Sequence, residues 1–288
     1  MKTIIFITTL LLSINSYSQT ALQIMQQVDD LSVASSKSNY SIAKMITCKT
    51  QTNKQKLKCT NKPRIKTLET LGIQTGKNNK DSKALFILLS PPKEAGVGML
   101  NFSYDDKTRD NESYLYLSAL GEVKRMVTRA SDNEEPISIF GSEFSTEDLE
   151  NNKVNNYDYT MEQDTELNNI KVWQINSIPK KYHRLKTRYN KSISWIDKEK
   201  LIPLKVQTFD NNNKQYKIFY FDKIKKINGF WMATVIRVVN YKNNRMSQWS
   251  QQNLKMNMPI TEQMLSPRML TDNVFREKQL DKIRQYKN

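Results

Sequence analysis

"YLYLSALGEVKRM", residues 114–126, decides the fold class. Successive side chains of a strand point to opposite faces. Tyr114 and Tyr116 therefore share one face, and Leu115 and Leu117 share the other. Ser118-Ala119-Leu120-Gly121 turns the chain, and Val123, Arg125 and Val127 resume the alternation. The stretch reads as a hairpin that is apolar on both faces. It carries no nucleophile, no metal ligand and no phosphate loop, so its chemistry is that of apolar surface.

The same period-two pattern starts at Tyr40 and runs through most of the chain. It predicts strands over 40–49, 56–60, 64–71, 84–90, 97–104, 112–118, 122–129, 157–164, 170–177, 187–196, 202–209, 215–225, 230–240 and 245–254. The intervening turns are rich in Asn, Asp, Gly and Lys, as in "DNNNK" at 210–214 and "INGF" at 227–230. Ala21, Ile24, Met25, Val28 and Leu31 recur at helical spacing and predict an amphipathic helix over 20–32. Residues 145–150 predict a short acidic turn, with Ser145 as N-cap and Asp148 behind it. Residues 260–270 predict another turn. The stretch from Thr271 to Asn288 is polar and basic and is expected to be a frayed helical tail. Many antiparallel strands with few helices imply a mainly β fold whose sheet curls toward a barrel. Without a Pro/Gly/Ser-rich linker, residues 19–270 read as one domain.

Residues 1–18 resemble a cleaved signal peptide. Lys2 is its charged start, Ile4–Leu12 its apolar core, and Ser16 and Ser18 its small residues before Gln19. No cysteine lies near that site, so the mature chain is expected to be exported, soluble and periplasmic, without a lipid anchor. The net charge is +16. In an exported protein this disfavours a nucleic-acid partner and leaves two readings: anionic lipid headgroups, or the Lys-, Asn-, Ile- and Tyr-rich composition of an AT-rich genome. Cys48 and Cys59 flank a polar segment with a hairpin tip around Thr52–Gln55. In an oxidising compartment they are either bonded across paired strands or two free thiols.

The search for catalytic groups yields little. His183, the single histidine, sits among Lys180, Lys181 and Arg184 and is expected to be a surface-loop residue. The carboxylate pairs Asp105-Asp106, Glu134-Glu135 and Glu147-Asp148 fall in turns or at helix starts, where local reasons suffice. No metal site or cofactor is implied, and an enzyme is the least favoured reading. Apolar pairs at i, i+2 remain: Phe86 and Leu88, Leu100 and Phe102, Tyr114 and Tyr116, Trp173 and Ile175, Ile193 and Trp195, Phe219 and Phe221. A curled sheet this wide is plugged by a helix or holds a ligand. Phe86, Leu88, Leu100, Phe102, Tyr114, Tyr116, Trp173, Trp195, Phe219 and Phe221 are the candidate cavity residues, with Phe140 and Phe144 capping one end. The opposite faces are nearly as apolar in places, so the inward face is open for some strands.

"LLSPPKEAGVGMLNFSYDD", "SYLYLSALGEVKRM", "FGSEFSTEDLE" and "WIDKEKLIPLKVQTFD" resemble the successive motifs of the outer-membrane lipoprotein-sorting family, the LolA-like periplasmic proteins. The likeness runs from about Ala84 to Leu270. Ser118 departs from it, standing where the family often has proline. The resemblance implies a half-open antiparallel β-barrel with helices plugging its mouth. It also implies a monomeric carrier of lipid or lipoprotein acyl chains that touches membranes transiently. The motifs are closest to a subgroup associated with RND-type exporters, which makes an inner-membrane exporter a possible partner and a lipid-responsive adaptor the alternative role. Each methylene moved out of water is worth about 0.8 kcal/mol. A diacyl lipid of roughly 30 methylenes therefore resists free passage through water by on the order of 24 kcal/mol.

Overall fold

A computed structural model describes residues 19–35, 37–51, 57–106, 108–126, 137–149 and 153–286. The expected signal peptide, the Thr52–Gln55 tip, the end of the 122–129 strand and the Glu134-Glu135 pair lie outside these residues, wholly or in part.

The chain enters through helix α1 (Ala21–Ser35). Strands β1 (Ser38–Gln51), β2 (Lys58–Cys59), β3 (Arg64–Thr75), β4 (Asp81–Ser90), β5 (Gly98–Ser103), β6 (Glu112–Leu117) and β7 (Glu122–Met126) follow. After a crossing segment come β8 (Tyr157–Leu167), β9 (Ile170–Pro179), helix α2 (Lys181–Arg184), β10 (Lys191–Asp197), β11 (Pro203–Phe209), β12 (Gln215–Ile227), β13 (Phe230–Asn240) and β14 (Arg245–Met256). Helices α3 (Arg268–Thr271) and α4 (Asn273–Gln285) end the described chain.

The sheet order is β7-β6-β5-β4-β3-β1-β14-β13-β12-β11-β10-β9-β8, with β2 paired to β1 and every ladder antiparallel. The edges β7 and β8 do not pair with each other. The sheet nevertheless curls. Phe86 on β4 and Trp249 on β14 are three strands apart, about 14 Å in a flat sheet, yet their ring centroids lie 5.9 Å from each other. The fold is a half-open barrel.

Local chemistry explains the corners. The β12–β13 hairpin turns on Asn228 and Gly229, both at positive φ (48° and 87°), which Asn and Gly tolerate. Asp197 accepts the Glu199 and Lys200 backbone N–H groups and closes the β10–β11 turn. Pro91-Pro92 ends β4, as a residue pair unable to extend a ladder should. Cys48 and Cys59 are bonded, tying β1 to the short return strand β2.

The two faces are covered by different parts of the chain. On the outer face of β3–β7, Leu71, Leu85, Ile87 and Leu100 pack under Met264, Leu265, Met269, Leu270, Leu280 and Ile283. On the inner face, Met45, Leu68, Phe86, Leu88 and Met99 meet Phe219 and Val238 from the far side of the sheet. Ile139, Phe140 and Phe144 fill the space between them. These three belong to the segment that crosses from edge β7 to edge β8, so the crossing chain itself is a plug.

The C-terminal stretch differs from the expected frayed tail. Asp272 caps α4 by accepting the Phe275 N–H at 2.9 Å, and Leu280 and Ile283 are fully buried. The Arg284 guanidinium grips the buried Glu69 carboxylate of β3 with two bonds of 2.8 and 2.6 Å. Tyr40 donates to the same carboxylate. Arg276 donates to the carbonyls of Met269 and Leu270 and finishes α3. Gly98 permits this docking: a Cβ there would come within 2.7 Å of Leu270 and 2.8 Å of Ile87.

Candidate functional site

The inner face of β8–β12 differs from that of β3–β6. Cross-strand partners share a face. The pairings Tyr159↔Ser177, Ser177↔Ser192, Ile175↔Ser194, Ser194↔Val206 and Val206↔Phe219 therefore align one inward row. This row, apart from Ile175 under α1, lines a cavity of about 170 Å³ with Phe221, Thr208, Tyr157 and Tyr189. Met25 of α1 and the carboxylates of Glu147 and Asp148 complete its wall. Helix α1 rests on this half through Ala21, Ile24 and Met25, which pack on Val154, Ile175 and Ile196. Its Asp29 is clamped by Lys80 at 2.6 Å.

One wall is therefore aliphatic and aromatic, and the other is a palisade of hydroxyls. Ser177 is buried, and its hydroxyl has no partner among the described residues. An unpaired buried hydroxyl is disfavoured, and a ligand oxygen would satisfy it. Burial raises the Tyr159 phenol well above its ordinary value, so it stays a neutral donor.

The acidic corner is built for holding the plug. Asp148 ion-pairs at 2.7 Å with Lys217, a β12 lysine that is itself buried. The same carboxylate accepts the Ser145 N–H and the Tyr189 hydroxyl. Glu147 accepts the Thr187 hydroxyl and the Arg188 N–H. Farther along, Glu143 accepts from Asn240 at 2.8 Å and from Arg245 at 3.0 Å. The expected 145–150 turn is thus a 3-10 turn over Glu147–Leu149, and Asp148 reaches back to accept the Ser145 N–H as expected. Carboxylates engaged this fully are anchors for the segment that carries them.

The candidate residues divide. Phe86, Leu88, Phe140, Phe144, Phe219 and Phe221 gather on the inner face, the last two in the cavity wall. Trp173 packs in the α1 cluster. Leu100, Phe102, Tyr114 and Tyr116 lie on the opposite face beneath the C-terminal helices. Trp195 also faces outward, paired with Lys205, whose ammonium stands 4.1 Å from the indole centroid. These five are not in the cavity. For the first four the physical reason is the double coverage of β3–β6: apolar residues on both faces leave period-two spacing with no preferred side. Trp195 instead lays its indole against Lys205 on the outer face. His183 is likewise more than a loop residue. It sits on α2, half-buried, with Nε2 3.0 Å from the Tyr157 hydroxyl. Burial pushes its imidazole down to about 4, and Lys153 and Lys186 act in the same direction.

The sequence reading missed the hydroxyl wall. Ser177, Ser192, Ser194 and Thr208 alternate with apolar residues as any solvent-facing row would. The one signal was that both alternating sets on β9 and β10 carry apolar residues, Val172 and Ile178 against Trp173 and Ile175, and Ile193 against Ile196.

This architecture has known relatives. The family model that matches residues 80–272, more than half of the chain, is described as an uncharacterized protein family, DUF1329-like. The chain belongs to this family. A DUF1329 family protein from Desulfovibrio piger superposes with a TM-score of 0.76 at 24% identity, covering 87% of this chain and 97% of the other. A putative outer membrane lipoprotein-sorting protein domain from Vibrio parahaemolyticus gives 0.73 at 22% identity, covering 87% and 98%. A LolA superfamily protein from Nitrosomonas europaea gives 0.61 at 12% identity, covering 86% and 98%. These likenesses show that the DUF1329-like chain has the LolA-type half-barrel. No curated protein matches the chain significantly. No helix among the described residues is long and apolar enough to cross a membrane.

Proposed function

We propose that this DUF1329-like protein is a carrier that takes acyl chains of a lipid or lipoprotein into the inner face of its half-barrel and moves them through the envelope between membranes. The observation that carries the reading is the amphipathic cavity between α1 and β8–β12. Met25, Val206, Phe219 and Phe221 suit methylenes, and the unpaired Ser177 hydroxyl beside Ser192 and Ser194 suits an ester or amide oxygen. The bonded Cys48–Cys59 pair fits an oxidising compartment such as the periplasm.

The cavity as it stands is small. About 170 Å³ is near the roughly 150 Å³ that accepts one benzene, so a full acyl chain needs more room. Helix α1 is the part that can yield. It has a short buried stripe and leaves Leu22 and Leu31 exposed. In this reading α1 lifts to admit the chain and settles back on release, a population shift driven by the cargo's preference for the open form.

Uptake of a dansyl-labelled fatty acid tests this. Met25→Trp fills the cavity and should weaken binding at least tenfold while the protein stays folded. Lys80→Ala frees Asp29 and should speed uptake. Unchanged binding in a folded Met25→Trp protein refutes the assignment of this cavity.

A further inference from the structure

One feature of the sheet has no role in carrying cargo. β12 and β13 pair in one register from Lys217↔Asn240 to Ile227↔Phe230, interrupted only at Lys223, which stands at φ 52° and has no partner in the ladder. Their outer neighbours stop earlier, β11 running to Pro203 beyond its Lys205↔Tyr220 pair and β14 pairing with β13 only as far as Ser250↔Val235. Residues 223–234 therefore extend beyond the ladders of their neighbours as a two-stranded ribbon.

Its sequence, "KIKKINGFWMAT", holds three lysines and no acid. Lys226 and Trp231 are directly opposed, and Trp231 is 41% exposed. Its indole is bracketed by the ammonium groups of Lys226 at 5.9 Å and Lys200 at 5.5 Å. The opposite side of the tip carries Ile227, Phe230 and Met232 around Lys225. A two-residue Asn-Gly hairpin in water needs no indole and no ring of cations. An amphipathic ring beside ammonium groups matches the bilayer interface, where Trp sits at headgroup level and Lys attracts anionic lipid.

We propose that the 223–234 ribbon docks the protein on a bilayer surface bearing anionic headgroups. The apolar tip enters the headgroup layer, and Lys223, Lys225, Lys226 and Lys200 contact phosphates. The proposal does not depend on what fills the cavity. It also uses part of the +16 charge, for which the fold otherwise shows no purpose.

Because a chain this basic adsorbs to any anionic surface, the test needs a charge-matched control. Co-sedimentation is measured with phosphatidylcholine vesicles containing about 30% phosphatidylglycerol, and with phosphatidylcholine alone, in about 0.1 M salt. The ribbon variant carries Lys223→Glu, Lys225→Glu and Lys226→Glu. The control carries Lys124→Glu, Lys278→Glu and Lys282→Glu, three exposed cations elsewhere. Near-surface lysines are each worth about fivefold in affinity, so the ribbon variant should lose on the order of 100-fold. The control should change little, and the wild type should bind neutral vesicles weakly. A blue shift of Trp emission on adding anionic vesicles should vanish in Trp231→Phe, which reports insertion independently. Equal losses in both variants mean adsorption by net charge and overturn the proposal. So do a ribbon variant that binds like wild type, a wild type that ignores anionic vesicles, and a blue shift that survives Trp231→Phe.

Discussion

The two halves of the sheet use their faces in opposite ways. In β3–β6 both faces are buried, the inner by the crossing segment with Ile139, Phe140 and Phe144, the outer by α3 and α4. In β8–β12 the inner face is part hydroxyl and part apolar around a cavity, while the outer face is mostly part-exposed, with Val172, Tyr216 and Ile218 buried. A strand covered on both sides reads as a continuous apolar run, as in "ALFILL" at 84–89. A strand covered on one side alternates. The half that looks greasiest in sequence is therefore structural packing, and the milder half holds the proposed site.

Four changes break or sharpen this contrast. The largest effect is expected at Lys217. Lys217→Met leaves the buried Asp148 without its cation and should cost about 3–5 kcal/mol, read by urea unfolding. Adding Asp148→Asn should return part of that loss. Next comes Leu100→Ala, on the doubly covered half. Leu100 is fully buried under the C-terminal helices, so truncation should cost about 2–5 kcal/mol and leave acyl-probe affinity unaltered. A matching loss of affinity would mean that the outer face is part of the site.

Smaller again is the pH response of His183. Its folded value, about 4, lies below the roughly 6.5 of a free imidazole. Between these values the unfolded chain binds more protons, so stability is intact above the upper value and drains as pH falls toward the lower. His183→Gln should flatten that part of the stability curve, and a curve identical to wild type would show that His183 is not the titrating group. The smallest effect is Ser177→Ala. Its hydroxyl has no partner among the described residues, so stability should hold or rise by about 1 kcal/mol, while acyl-probe binding weakens.

Much of the fold was legible. The observed strands overlay the expected ones to within a few residues, because turn chemistry at sites such as Asn228-Gly229 and Asp197 is local. The site was less legible. Inward direction depends on which face each element covers, which is a long-range fact; that is why Leu100, Phe102, Tyr114, Tyr116 and Trp195 were assigned to the cavity side. Helix α4 was hidden because only Phe275, Leu280 and Ile283 give it an apolar side, and its main anchor is the Arg284–Glu69 pair, separated by 215 positions. The cavity's hydroxyl wall was hidden because serine in a strand resembles solvent-facing serine until a helix lies across it.

The central claim is that the space beneath α1 holds acyl chains. Native mass spectrometry of the protein isolated from its own cell envelope, followed by organic extraction, tests it most directly. The account predicts a near-stoichiometric adduct whose extract contains an acylated molecule, and loss of that adduct in Met25→Trp. A clean apo mass that stays unchanged after incubation with envelope lipids would contradict it.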